Sequence, residues 1–269
     1  MCFGGGMSTA NRLLAVLGLF TLERPKWTVE SAALELGMTV STAYRYFKSL
    51  VDAGLLAADT PRFYTLGPAI IEYDRQMRLR DPLIATAAPV MQELAQNIGS
   101  GAVILLCRLY RHRVVCVHQE TLATDNFYRR FDGSEPISYE RGQPMPLHRG
   151  APSKAILSHM KARQMRAIYD KESLAWAEAG LGTNWTEVKR ALRLMRNAGM
   201  VVTYGEMTVG MQGISVPIMA GATGVIGSLS AVVAPDRLNR PVEAIGRTLA
   251  GGSRQIETAL IAELESAGA

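Results

Sequence analysis

A three-residue turn between two capped helices constrains this chain more than any other feature of its sequence. Thr28 can accept from the free backbone N–H groups of a helix start, and Val29, Ala32, Ala33 and Leu36 then share one apolar face. Gly37 falls where that helix ends, because glycine takes the left-handed conformation at little cost. Thr39 caps the next helix, which runs to Ala53 and is closed by Gly54. The turn Gly37–Thr39 has the length that a helix-turn-helix requires. Upstream, Leu13, Val16, Leu17 and Phe20 recur at helical spacing from Ser8, and Pro25 ends that helix. Downstream, Leu55–Ala58 and Arg62–Leu66 read as two short strands around Asp59-Thr60-Pro61. The expectation is a small three-helix domain with a β-ribbon wing.

The third helix has two chemically different faces. Ala43, Phe47, Leu50 and Val51 point inward, while Ser41, Tyr44, Arg45, Lys48 and Asp52 lie opposite. Its first three turns carry Arg45 and Lys48 and no acid, and the hydroxyls of Thr39, Ser41 and Thr42 gather at its N-terminus. Hydroxyls and free N–H groups hold phosphates, whereas longer side chains reach base edges in the major groove. Thr39, Ser41, Thr42, Tyr44, Arg45 and Lys48 are therefore candidate contacts to double-stranded DNA. Arg62, near the wing tip, is placed for a phosphate or the minor groove. The blander reading, a bundle with a solvated polar face, leaves the glycines at both helix ends and the wing unexplained.

Beyond the wing the chain changes character. Pro68 to Arg80 is a polar, charged helical stretch, read as a linker. Asp81-Pro82 combines a cap with proline at the first helical position and marks a domain boundary. The following helix carries Leu83, Ala87, Val90, Met91, Leu94 and Ile98 on one face. After Gly99 the period shortens, and Ala102–Leu109 and Val114–His118 read as strands around Arg111-His112-Arg113. Leu122–Ile137 is charged and irregular, and Pro146–Gly150 is a loop before a helix at Pro152–Met160. Helices follow at Arg163–Asp170 and Asn184–Asn197, then β-like segments at Met200–Tyr204, Gly213–Met219 and Gly224–Val233. A last helix starts near Asn239 or Arg240 and runs toward Glu265. The chain thus reads as α+β. It has a disordered start (1–7), a winged domain (8–67), a linker helix (68–80) and a mixed domain (81–269) with a mostly antiparallel sheet.

Composition excludes more than it indicates. The net charge is +5, yet the first 80 residues carry only +2 of it, so any DNA signal lies in local placement. The apolar run Leu13–Phe20 is far short of the ~18 residues of a membrane span. No small-x-small site follows it, which argues against a secretory signal. Three cysteines in 269 residues make no disulfide framework and fit a reducing, cytoplasmic compartment.

The string Gly37-Met38-Thr39-Val40-Ser41-Thr42-Ala43-Tyr44-Arg45, followed by Leu50-Val51-Asp52-Ala53-Gly54-Leu55-Leu56, resembles the winged helix-turn-helix of the IclR family of bacterial transcriptional regulators. Tyr64-Thr65-Leu66-Gly67-Pro68 is similar to that family's wing exit. Gly142-Gln143-Pro144-Met145-Pro146-Leu147-His148, with Ser153-Lys154-Ala155-Ile156-Leu157 after it, resembles its effector-loop signature, and Gly210 to Pro217 resembles the approach to a pocket-lining strand. The resemblance extends from Ser8 to about Glu265. It implies a GAF-like effector domain, a small organic acid as ligand, homodimers that often pair into tetramers, and a roughly palindromic operator. No cofactor or metal is implied.

On that resemblance the effector site falls at Ala151, Pro152 and Ser153, with Met211, Gly213, Ser215 and Ser230 on the facing strands. Pro152 lacks an N–H, so Ser153 is expected to donate in its place. Thr203-Tyr204 stands where relatives carry an acidic pair, though Glu206 remains. Gly213 is expected to leave space and Met211 to adapt to an apolar group, which together favour a bulkier or more apolar acid, of which an aromatic acid is one form.

A second class of function is an enzyme whose α/β domain acts on a small organic acid while the N-terminal domain only dimerises. No nucleophile–base pairing or carboxylate pair in the sequence supports it. His112, His118, His148 and His159 show no metal-ligand spacing. Cys107 and Cys116 lie on one predicted hairpin, where buried reduced thiols are commoner than a redox switch.

Overall fold

The computed structural model describes residues 8–99, 101–122, 140–237 and 240–267. The expected disordered start, most of the irregular segment after Leu122 and the expected last-helix start at Asn239 lie outside them. The chain divides into two compact units, Met1–Arg80 and Asp81–Ala269.

The first unit is built from α1 (Thr9–Leu17), α2 (Val29–Glu35), α3 (Val40–Asp52), the ribbon β1 (Leu56–Ala58) and β2 (Tyr64–Leu66), and α4 (Ala69–Arg80). Helix α1 stops at Gly18 rather than at Pro25. Leu19 and Phe20 continue in tighter turns, and the Leu19 carbonyl accepts from Trp27 Nε1 at 2.9 Å. That contact needs the chain to leave the helix early. Thr28 caps α2 in a reciprocal box with Ser31. Both helices of the pair end alike. The N–H groups of Gly37 and Met38 bond Leu34 and Ala33, and those of Gly54 and Leu55 bond Val51 and Leu50. This is the Schellman arrangement, with Gly37 at φ +61° supplying the left-handed residue at the turn.

The core of this unit is Val16, Trp27, Ala32, Ala43, Tyr46, Phe47, Leu50 and Leu56. Tyr46 is buried although the sequence pattern did not assign it inward. Trp27 also pairs with Tyr64 through two backbone bonds, which sets a third short segment against β2 of the wing. Tyr64 meets Phe47 edge-on at 5.0 Å. The ribbon returns through Gly67, where any side chain would strike the Gly54 carbonyl. Glycine is therefore required at that close approach.

In the second unit, α5 (Pro82–Ile98) is capped by Asp81, which also pairs with Arg108. Among the described residues six strands follow in the order β5-β4-β3-β8-β7-β6, all antiparallel: β3 (Ala102–Tyr110), β4 (Arg113–Glu120), β5 (Pro144–Pro146), β6 (Val201–Tyr204), β7 (Gln212–Met219) and β8 (Val225–Val233). Strand β5 falls in the stretch read as the effector-loop signature and beside the expected loop. It is a strand because Pro144 and Met145 pair with Val115 and Val114 at the sheet edge, where proline is tolerated.

Alternation along these strands separates two cores. Ile104, Leu106, Ile214, Val216, Leu229 and Ala231 face α5 and α9 (Val242–Ala267). Val103, Leu105, Cys107, Cys116 and Val232 face the helices α6 (Ala151–His159), α7 (Ala162–Glu178) and α8 (Trp185–Ala198). Helix α7 runs eight residues past its expected end, across a kink at Glu172 where φ is −130°. Tyr169 and Trp176 hold both halves, packed edge-on at 5.6 Å. None of the described helices is long and apolar enough to cross a membrane.

Candidate functional site

The helix pair α2–α3 presents one polar face. Tyr44, Arg45 and Lys48 are exposed on α3, as are Ser41 and Thr39 at its start, while Ala43, Phe47 and Leu50 anchor the opposite face. Neither Arg45 nor Lys48 has an ion-pair partner among the described residues. Thr39 Oγ1 accepts from the Thr42 N–H at 3.3 Å and shares a hydroxyl contact of 2.9 Å with Thr42 Oγ1. Two of the three clustered hydroxyls are thus committed to capping the helix, and Ser41 is left outward. Arg62 is exposed next to the wing tip, where Thr60 Oγ1 accepts from the N–H groups of Arg62 and Phe63. Lys26, by contrast, is taken by Asp59 at 2.6 Å.

The residues expected around the effector are brought together at the start of α6, but differently from the expectation. Gly213 opens no cavity. A Cβ there would lie 3.1 Å from Ala151 Cβ and 3.2 Å from Thr203 Oγ1, because the first turn of α6 packs directly on β7. Ser215 and Ser230 face each other across β7 and β8, and their hydroxyls bond at 2.8 Å beneath α6. Small residues on this face let the helix approach the sheet. Ser153 is fully buried and its hydroxyl has no partner among the described residues, and the same holds for Trp176 Nε1. Met211 is buried in the core between sheet and α7.

Two backbone donors of this helix start, those of Gly150 and Ala151, are already used. The Ala151 N–H donates to Thr203 Oγ1 at 3.1 Å. The Gly150 N–H donates to Glu206 Oε2 at 2.9 Å, and Lys154 Nζ reaches Glu206 Oε1 at 2.6 Å. Lys154 is nearly inaccessible, and its ammonium also donates to the Ala179 carbonyl at 3.3 Å. Met207 lies over Gly150, where an added side chain would meet it at 2.9 Å. The chain's own Glu206 carboxylate therefore sits at the positive end of α6, where an anion is favoured.

Lys154 was legible only as part of a motif, and Glu206 only as a surviving acid. Nothing in sequence spacing joins positions 154 and 206, which meet because β6 leads into the loop that passes over α6. His148 Nδ1 lies 3.7 Å from Glu172 at the kink of α7. Burial lowers its pKa from the ordinary histidine value; Glu172 opposes the shift, and Arg149 and Lys154 add to it. Cys107 and Cys116 are buried opposite each other and reduced. The Cys116 thiol, and then burial, hold the Cys107 pKa well above its ordinary value. A protonated, buried thiol is inert.

A winged helix-turn-helix with a free basic face, joined to a six-stranded GAF-like domain, defines a class of DNA-binding transcription regulator. Residues 78–258 match the family described as bacterial transcriptional regulator IclR C-terminal, and residues 9–60 match the IclR helix-turn-helix domain. The chain belongs to the IclR family, whose members are transcriptional regulators and not enzymes. It is 25% identical to the HTH-type transcriptional regulator KipR of Bacillus subtilis (strain 168) over 210 residues, 78% of this chain and 79% of that one. An IclR family transcriptional regulator from Brucella abortus shares the fold with a TM-score of 0.74 at 22% identity, over 94% of this chain and 93% of the other. An IclR homolog from Microbacterium hydrocarbonoxydans, solved in complex with 4-hydroxybenzoate, gives a TM-score of 0.71 at 22% identity, over 95% and 100%.

Proposed function

We propose that this regulator reads an operator through Tyr44, Arg45 and Lys48 of α3, positioned on phosphates by Thr39, Ser41, Thr42 and Arg62, and that a small organic acid controls its affinity. The observation that carries the DNA reading is the exposed, unpaired Arg45 and Lys48 on a helix whose other face is locked by Phe47 and Leu50. Leu14 is more than half exposed on α1, in keeping with a second copy covering it. Two copies would set the recognition helices about one DNA turn apart on a roughly palindromic site.

The effector reading is supported by the start of α6. Gly150 and Lys154 hold a carboxylate there, and the unpartnered Ser153 hydroxyl and Trp176 N–H belong to the elements around it. An acid whose carboxylate takes the place of Glu206, with an aromatic body against Met211 and Trp176, satisfies these groups. The relative bound to 4-hydroxybenzoate fits the same class of ligand. The response is linkage: the acid favours one arrangement of the paired DNA-binding units, with a coupling of about 1–3 kcal/mol.

Two measurements test this reading. Selection from random duplex DNA should return a palindromic site bound by the native chain, and Arg45→Ala should weaken it by about 1–3 kcal/mol while leaving non-specific DNA less affected. Equal loss on both would reassign Arg45 to phosphate contact. A thermal-shift series with benzoate and 4-hydroxybenzoate should raise the unfolding temperature, more so in Glu206→Gln, which weakens the internal competitor. No shift in either protein would remove the acid from the reading.

A further inference from the structure

A concave surface lies away from α6's start, between the N-terminal end of α7 and one face of α8. It encloses about 450 Å³, within the range of small-molecule sites. Its floor is apolar, from Met165 and Leu192. Its rim is cationic, from Lys189, Arg190, Arg193 and Arg196, and no acid lines it. On α8 the pair Lys189 and Arg193 stands at i,i+4, where like charges destabilise a helix. None of Lys189, Arg190 and Arg193 has an ion-pair partner among the described residues.

Arg196 is fixed rather than free. Its Nε donates to the Ser158 carbonyl at 2.7 Å, and a second guanidinium N–H donates to the same oxygen. Its charge is nonetheless uncompensated by any described carboxylate. The neighbouring acid Glu187 is turned away onto Thr183, accepting from its N–H at 2.7 Å and its hydroxyl at 2.9 Å. Arg166 is likewise occupied, paired with Asp170 at 2.7 Å. Ala162, which also borders the cleft, begins α7, and that helix has no side-chain cap and no acid in its first turn. Its free N–H groups add positive potential to the same space.

We propose that this cleft is a binding site for a small organic phosphate, a dianion with a compact apolar group, separate from the site at the start of α6. The planar guanidinium fork of arginine donates to two oxygens of a tetrahedral phosphate at once, and the helix start supplies backbone donors. The apolar floor selects a monoester with a hydrocarbon or aromatic body over inorganic phosphate. Duplex DNA offers backbone phosphates but no apolar group for Met165 and Leu192, and so fits the cleft less well.

Phenyl phosphate titrated calorimetrically into the full-length protein tests the site. Saturable binding at one molecule per chain is expected, weakening as salt is raised. Lys189→Ala with Arg193→Ala should lower the affinity about tenfold or more, each lost charged hydrogen bond being worth on that order. Both side chains are exposed, so the variant should keep the native unfolding temperature. Inorganic phosphate should bind more weakly than the phenyl ester. Absence of heat at millimolar phenyl phosphate, or equal affinity in native and double variant, would overturn the proposal. So would an unrelated duplex that depends on Lys189 and Arg193 while phenyl phosphate does not bind, which would assign the basic rim to DNA.

Discussion

The outer face of α3 and the start of α6 are both rich in hydrogen-bond donors, yet they are in opposite states. On α3, Arg45 and Lys48 are exposed and have no ion-pair partner among the described residues. At α6, the donors of Gly150, Ala151 and Lys154 are bonded to Glu206 and Thr203 inside the same unit. A surface that meets an external polyanion leaves its charges free, since exposed cations cost little in water. A buried helix end does so only at a cost, since an unpaired buried donor costs roughly 1–3 kcal/mol, and here Gly150, Ala151 and Lys154 avoid it. On the proposed reading, an incoming acid exchanges with the internal Glu206 carboxylate at α6, whereas DNA at α3 only adds contacts.

The largest effect is expected on α3 itself. Phe47→Ala should cost the N-terminal unit about 3–5 kcal/mol, since the ring is fully buried against Tyr64. Arg45→Ala, two positions away and exposed, should change stability by no more than about 0.5 kcal/mol. Denaturant unfolding beside DNA binding separates the two. Equal destabilisation would mean that Arg45 belongs to the fold rather than to a free face.

Next in size is Gly213→Leu, expected to destabilise the C-terminal unit by about 1–3 kcal/mol through overpacking against Ala151 and Thr203. A variant of native stability that has lost its response to aromatic acids would restore the cavity that the sequence led us to expect there.

Ser215→Ala alone should cost about 1–3 kcal/mol by leaving the Ser230 hydroxyl short of a partner, and the double change Ser215→Ala with Ser230→Ala should cost less than the sum. A double variant that folds normally but ignores aromatic acids would assign both serines to the ligand.

The smallest effect is a pH dependence confined to the C-terminal unit. Burial lowers the folded-state pKa of both His148 and His159 from the ordinary value. The unfolded chain then binds protons more readily than the folded one, so stability is full above about pH 6.5 and falls as pH drops through the lowered folded values. Thermal unfolding should show this slope, and His148→Asn with His159→Asn should flatten it. An unchanged slope would place the acid sensitivity elsewhere.

Much of the DNA-binding unit was legible because its signals are local. Thr28, Thr39, Gly37 and Gly54 cap or close helices within four residues of their partners, and the apolar spacing of α3 points to one face. Tyr46 was missed because an aromatic hydroxyl reads as neither core nor surface. The early end of α1 was missed because it depends on Trp27, eight residues beyond the Leu19 carbonyl it bonds. The effector region was less legible for the same reason on a larger scale. Gly213 read as space because a missing side chain looks the same whether a ligand or a helix fills the gap.

Short-range signals carry the two helix ends, the wing, the cap at Asp81 and, β5 apart, the order of strands and helices, since each follows from local hydrogen bonding or from apolar period. Long-range packing alone sets β5 at the sheet edge, lays α6 on Gly213, Ser215 and Ser230, and brings Glu206 to the positive end of that helix. Those outcomes join residues about 50 positions or more apart, or set one element's packing against another. Such contacts depend on which surfaces remain to be covered once the sheet has formed, and no local pattern carries that information.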